Sequence, residues 1–366
     1  MPGKDLNRRD FIKTGAAMSG ALAVGASAPQ PANTSKILNY NPNMEYRRLG
    51  RTGLMLSAVC MGGHWKRLGT LMGRGFEGEG YLDSDDQNIK NPTFLKHRDN
   101  VISRAMEVGI NYVDACAPQE ILAYSRVLKG RRDKMYFGFS WHTREPRYEE
   151  WRDPKRLLAG YEQSLKEAGL EYADLWRISL PQTGIPDLGV LLQVEEATIK
   201  ALEMAKKQGK ARFTGVSTHN RIWLKSFIEQ YPQQIEVVLF PYTADSKQMP
   251  DDSVFDVIKK NETGVFGIKP FADNSLFKGD SSLRHPEAAE DDRRARLAIR
   301  YILSNHLITA PIPGLINTHQ VDNVALAVQE RRKLDQKERA ELEDAGRRMW
   351  ANLRPGHEWL REWEFV

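Results

Sequence analysis

Gly109-Ile-Asn-Tyr-Val-Asp114 is a short apolar run closed by an acid, and it sets the pattern for the rest of the chain. Ile110, Tyr112 and Val113 suit a buried pleated surface, so residues 110–114 read as a strand covered on both faces. Runs of the same kind recur at 57–61, 134–140, 173–179, 211–217, 236–240, 264–269 and 308–312. Longer amphipathic stretches separate them, among them 154–168, 195–207 and 291–305. Strand and helix in alternation imply a parallel sheet, and eight units in about 300 residues match a closed (β/α)8 barrel. A doubly wound open sheet is the structural rival. Residues 44–56, with Gly50-Arg-Thr-Gly53 at their centre, predict a β-hairpin capping the bottom of the barrel. The expected fold is thus an α/β TIM barrel over 44–350 with an N-terminal β-hairpin, leaving 351–366 as a C-terminal tail.

The N-terminus reads differently. Asn7-Arg-Arg-Asp-Phe-Ile-Lys13 precedes an uncharged Ala/Gly-rich stretch, 14–28, which is the pattern of a twin-arginine export signal. That reading assigns 1–28 to a signal peptide, makes the twin-arginine translocase a partner, and sends the protein to the periplasm or another extracytoplasmic site. The stretch is too short and too weakly apolar to form a stable membrane span. Ala26-Ser27-Ala28 suits cleavage, although Pro29 obstructs a cut directly after Ala28. Residues 29–43 read as a disordered linker. Residues 66–92, rich in glycine and carrying Asp83-Ser-Asp-Asp86, form an insertion after the first barrel strand. Such an insertion emerges on the catalytic face and reads as a lid or binding loop, with a mobile surface loop as the alternative.

Composition excludes some classes. The formal net charge is +5, and in 331–348 basic and acidic residues alternate as on a solvated helix face, so no nucleic-acid partner is expected. Cys60 and Cys116 are the two cysteines. There is no C-x-x-C and no Cys/His spacing of a metal site, so no metal is expected. Two reduced thiols and a disulfide between them both remain open.

Several short motifs follow one another along the barrel: Tyr46-Arg-Arg-Leu-Gly-Arg-Thr-Gly53, Met61-Gly62-Gly63, Gly130-Arg-Arg-Asp-Lys134, Tyr172-Ala-Asp-Leu175, Gly215-Val-Ser217 and Ile312-Pro-Gly314. In this order and spacing the chain resembles the aldo/keto reductase family from about Tyr46 to Leu342. The resemblance implies NAD(P) bound at the carboxyl ends of the strands and carbonyl reduction by an Asp, Tyr, Lys and His tetrad, with the tyrosine protonating the oxygen. Asp114 matches the acid. The other three positions hold Gln119, Ser140 and Ser179, and Tyr124 falls inside the following helix. A glutamine amide has no proton to give at a useful pKa, so ordinary tetrad catalysis is not expected. On the cofactor side the resemblance implies contacts from Gly62, Ser217, Thr218, Lys269, Pro313, Gly314 and Asn323. Leu239 and Ile268 replace the usual amide and stacking residues, and Leu315 and Gln320 stand where basic groups usually meet the 2′-phosphate of NADP.

Other polar groups fall near the same strand ends: His64, Lys66, His142, Arg177 and His219. Arg177 lies two residues before Ser179, so alternation points both into the barrel, where Asp114 is the expected partner of the guanidinium. The candidate catalytic set is Asp114, His64, His142 and Arg177. Two functions fit: an exported oxidoreductase acting on a carbonyl or carbohydrate-like small molecule with an altered acid/base set, or a barrel without redox activity that binds a ligand or performs lyase or hydrolase chemistry.

Overall fold

The computed structural model describes residues 34–65, 67–73, 89–181, 185, 187–330 and 332–366. The export signal, the first part of the linker, Lys66 and most of the 66–92 insertion lie outside the described residues. Two strands, β1 (Tyr46–Arg48) and β2 (Met55–Ser57), form an antiparallel hairpin. A seven-stranded parallel sheet follows in chain order: β3 (Tyr112–Ala115), β4 (Tyr136–Phe139), β5 (Ala173–Ser179), β6 (Ala211–Ser217), β7 (Val237–Pro241), β8 (Gly264–Ile268) and β9 (Ala310–Pro311). Outside it lie α1 (Pro92–Glu107), α2 (Pro118–Val127), α3 (Pro154–Ala168), α4 (Leu188–Lys207), α5 (Arg221–Gln230), α6 (Val254–Asn261), α7 (Ala288–Ser304), α8 (Thr318–Gln329) and α9 (Gln336–Ala351). Their starts are set locally, as where Asp153 accepts the amide of Arg156 ahead of Pro154 and Asn317 accepts that of Gln320.

The first predicted barrel strand differs from expectation. Ser57 belongs to the hairpin, and residues 60–62 form an irregular segment bonded on both sides. The Met61 amide donates to Tyr112 O at 3.0 Å and the Asp114 amide to Met61 O at 2.9 Å, while the Cys60 and Gly62 amides donate to Pro311 and Pro313 O. The segment fills the eighth position between β3 and β9 and closes the (β/α)8 barrel. It gains no regular ladder because its neighbour contributes prolines, which have no N–H to return.

The hairpin seals the bottom. Leu49 is fully buried beneath β8, against Gly264, where a Cβ would come within 2.7 Å of its side chain. Two segments set apart in the sequence are folded onto the barrel. Residues 34–43, expected as linker, are held by Asn39 Nδ2 on Ile110 O and Lys134 O and by Asn41 Nδ2 on Glu107 O. Residues 351–366, expected as a tail, put Trp363 and Val366 in the core, with Trp363 stacked on Phe240 at 5.4 Å and Lys247 paired to Phe365. The physical reason is apolar area: Leu360, Trp363 and Val366 in one short stretch are fully buried and gain more from that than from water. Among the described residues no helix is long and apolar enough to cross a membrane.

Candidate active site at the carboxyl end of the barrel

The strand ends surround a cavity of about 200 Å³. Its floor is a closed polar network. Arg177 on β5 lays its guanidinium on Asp114 of β3, with Nε 3.0 Å from Oδ1 and Nη2 on the same oxygen. Tyr112 donates to Asp114 Oδ2 at 3.0 Å, which is sterically allowed because Gly138 opposite has no side chain; a Cβ there would lie 1.9 Å from the phenol oxygen. Burial pushes the Arg177 pKa down, but the Asp114 carboxylate outweighs it and holds the guanidinium charged. Its Nη1 donates to Ser179 and Ser217 at 3.1 Å each, and Ser140, Ser179 and Ser217 form a hydroxyl chain with 2.9 and 3.0 Å links. The pair expected from strand alternation thus forms, and the floor is nearly sealed, with Asp114 only 4% exposed.

The wall beside the floor is different in kind. Gly62 and Gly63 lead into His64, whose φ of 54° places it in the left-handed region. His64 Nδ1 lies 3.1 Å from Glu120 Oε1, and its Nε2 lies 3.6 Å from Cys116 Sγ. Glu120, in the first turn of α2, is fully buried and also accepts the amides of His64 and Ala117. Burial opposes a charged imidazole, but Cys116 and Glu120 overcome it and push the His64 pKa up to about 10. Burial raises the Glu120 pKa, and His64 with the two amides brings it below the usual carboxylate value.

A pH dependence follows. A histidine whose folded pKa lies above its unfolded 6.5 contributes stability that is complete below 6.5 and is lost as pH rises toward 10. Urea midpoints of the wild type should therefore fall between pH 6.5 and 9.5 by more than those of His64→Asn, a residue that tolerates the same φ. Parallel pH dependences for the two proteins would refute the assignment.

The remaining predicted residues surround the same space. Gly62, Ser217, Thr218, Lys269, Pro313 and Gly314 all line the cavity, as do Leu239 and Ile268. His142 lines it too, with Nδ1 3.0 Å from Cys116 O. His219 stacks on Trp359 at 3.8 Å, and burial with Lys269 and Arg147 nearby lowers its pKa well below 6.5, keeping it neutral. Asn323 is set apart: it lies in α8, bonded to Arg296 and to Asp292 O, and lines an adjoining cavity that shares Phe271, Asn274 and Gly314 with the first. The loop after β8 carries Ala272, Asp273 and Asn274 in succession at φ of 44°, 58° and 68°, and Asp273 and Asn274 form part of the rim. Gln119 does not line the cavity, whereas its neighbour Glu120 does. Among the described residues lining the cavity there is no tyrosine, and the lysine present is Lys269. Cys60 and Cys116 are free thiols.

Sequence reasoning missed Cys116 and Glu120. Pro118 followed by Glu120 is a legible helix start, but nothing in the chain shows that its carboxylate meets His64 from a different turn. His64, Cys116 and Glu120 also lie close enough together to hold a metal ion, so the absence of a spacing motif did not exclude a ligand set.

Comparison with known proteins places the chain in a family. The model of the aldo/keto reductase family matches residues 85–347. The chain is similar to the L-galactose dehydrogenase of Arabidopsis thaliana, 24% identical over 326 residues, covering 82% of this chain and 93% of that protein. It is also similar to the L-glyceraldehyde 3-phosphate reductase of Escherichia coli K12, 23% identical over 253 residues, covering 64% of this chain and 63% of that one. Among solved structures, the holo form of an aldo-keto reductase from Bacillus halodurans superposes with a TM-score of 0.57 at 19% identity, covering 86% of this chain and 99% of the other. An aldo/keto reductase from Brucella melitensis gives 0.54 at 15%, covering 82% and 99%.

Proposed function

The chain belongs to the aldo/keto reductase family, and from that premise we propose that it is an oxidoreductase, exported by the twin-arginine route, that acts with NAD(P) on a carbonyl or carbohydrate-like small molecule by a mechanism without the usual tetrad. The observation that carries this reading is convergence: Gly62, Ser217, Thr218, Lys269, Pro313 and Gly314 border one cavity whose wall holds His64 charged. Aldo/keto reductases generally use NAD(P)H, which when bound supplies hydride to a carbonyl carbon.

The residues present fit such a group. His219 Nδ1 is a buried nitrogen without a hydrogen-bond partner among the described residues, and Arg147 and Lys269 give the cavity a positive side suited to a pyrophosphate. Ser217 offers a hydroxyl at the inner end, and Asn317 and Asn323, which border the adjoining cavity at the start of α8, would hold the rest of the nucleotide. Gln119, Ser140 and Ser179 stand for the tetrad tyrosine, lysine and histidine, so the proton must come from elsewhere. His64 supplies it in this reading: an imidazolium with a pKa near 10 matches the ordinary acidity of the phenol it replaces. Asp114 and Arg177 serve as positioning residues that order the floor, and His142 fixes the Cys116 backbone. An aldose or hydroxyaldehyde accords with the sugar and sugar-phosphate substrates in the names of the two relatives.

Leu239 and Ile268 favour a second reading, a barrel without redox activity, because they leave the inner wall apolar where a carboxamide would need partners. Titration of the folded protein with NADPH and NADH decides between them. Quenching of tryptophan fluorescence with a dissociation constant below about 1 mM supports the oxidoreductase, and no binding to either at that level removes it. With cofactor bound, His64→Asn should reduce turnover of glyceraldehyde roughly 10²–10⁴-fold.

A further inference from the structure

Cys116, His64 and Glu120 are brought to one wall of the cavity from two separate turns, and their order is that of a nucleophile, its base and the group that orients the base. We propose that they form an activated-thiol site that adds reversibly to an aldehyde carbonyl entering the cavity. His64 Nε2 faces Sγ at 3.6 Å and Nδ1 faces the carboxylate at 3.1 Å, so one ring nitrogen is committed to orientation and the other to the sulfur. Cys116 stands just before the first turn of α2, and its carbonyl is fixed by both the amide and Nδ1 of His142. Two features show that the wall is shaped for this contact. His64 is a non-glycine residue at φ 54°, held there directly after two glycines, where a third glycine would cost less if no side chain were needed. Gly63 leaves the space that the carboxylate occupies, since a Cβ there would lie 2.0 Å from Glu120 Oε2.

The step balances. Sγ, as thiolate, forms a bond to the aldehyde carbon, the π bond of the carbonyl breaks toward oxygen, and that oxygen takes the proton from His64 Nε2. The product is a hemithioacetal beside a neutral imidazole, and reversal restores both partners without any oxidant. A divalent metal shared by the three side chains is the competing use of the same atoms. It is disfavoured because Glu120 already accepts two backbone amides and the ring N–H, which a metal would have to displace. The choice of an aldehyde rests on the carbonyl substrate proposed above; the reactivity of the thiol does not.

Iodoacetamide labelling at pH 6, read by peptide mass spectrometry, tests the site without any nucleotide. Cys116 should react at least about tenfold faster than free cysteine in the same buffer, where an ordinary thiol is protonated. Cys60, fully buried and with its thiol pKa pushed up by burial, should stay unlabelled and serves as the internal reference. His64→Asn should slow labelling at least about tenfold with an unchanged circular dichroism spectrum, and millimolar glycolaldehyde should protect Cys116 competitively. Cys116→Ser, which leaves His64 and Glu120 in place, should abolish the label. Labelling no faster than free cysteine, equal rates in His64→Asn, or no protection by glycolaldehyde would each overturn the proposal. Reactivity that appears only with a chelator and vanishes with one equivalent of zinc would overturn it in favour of a metal site. Failure here leaves the oxidoreductase reading intact, and failure of nucleotide binding leaves the thiol result intact.

Discussion

Asp114→Asn should lower the unfolding free energy by about 3–5 kcal/mol, because it leaves the Arg177 guanidinium buried without a counter-charge. The shape of the site is kept, so the loss is electrostatic and not steric. For a chain of this size the melting temperature should fall by about 5 °C. Arg177 cannot turn to water, since its other donors are engaged by Ser179 and Ser217 and the group is 6% exposed. Removing both charges separates this account from a general intolerance of mutation at the floor. Asp114→Asn combined with Arg177→Met should recover most of the loss, as a buried pair replaced by apolar volume is often close to neutral. A double variant as unstable as the sum of its parts would show that the two residues act independently.

Gly63→Ala should be about as damaging, by a different route. The added methyl would meet Glu120 Oε2 at 2.0 Å and Cδ at 2.4 Å, and that carboxylate is buried and held by three donors. It cannot withdraw without leaving those donors and its own charge unsatisfied, a cost of about 3 kcal/mol or more. Gly53→Ala is the matched control, with φ of 72° and nothing within 4 Å of the added carbon, so only the left-handed backbone is penalised, by about 1–2 kcal/mol. Thermal melts of the two proteins should rank in that order. The Gly63 variant should also lose the rapid labelling of Cys116, because His64 is oriented through Glu120. Equal melting temperatures would mean that the carboxylate moves freely.

The scaffold was legible because periodicity is local information. β5 and β6 occupy the runs 173–179 and 211–217 as read, and α3 occupies 154–168. The Arg177 and Asp114 pair was legible for a related reason: alternation within one strand and the end of another leave few places for a guanidinium. The His64 wall was not. Cys116 and Glu120 lie 52 and 56 residues from His64, and their meeting depends on how the turns that follow two adjacent barrel positions approach each other. The reading by resemblance stopped at Gln119, one residue short of the group that faces the cavity. The segment 351–366 was set apart only as a C-terminal tail, and the burial of Leu360, Trp363 and Val366 depends on contacts with residues distant in the chain.

The consecutive left-handed residues Ala272, Asp273 and Asn274 after β8 have a consequence for how this protein could be adapted. Backbones held at positive φ without glycine store strain, on the order of 1–3 kcal/mol each, that the surroundings must hold in check. Selection for heat resistance would relax Asn274 to glycine before Ala272, since Ala272 is fully buried in the core and its methyl group is packed, whereas Asn274 is only partly buried. The same relief would slacken the rim of the cavity, so tolerance of high temperature and tight enclosure of a substrate draw on one short stretch in opposite directions.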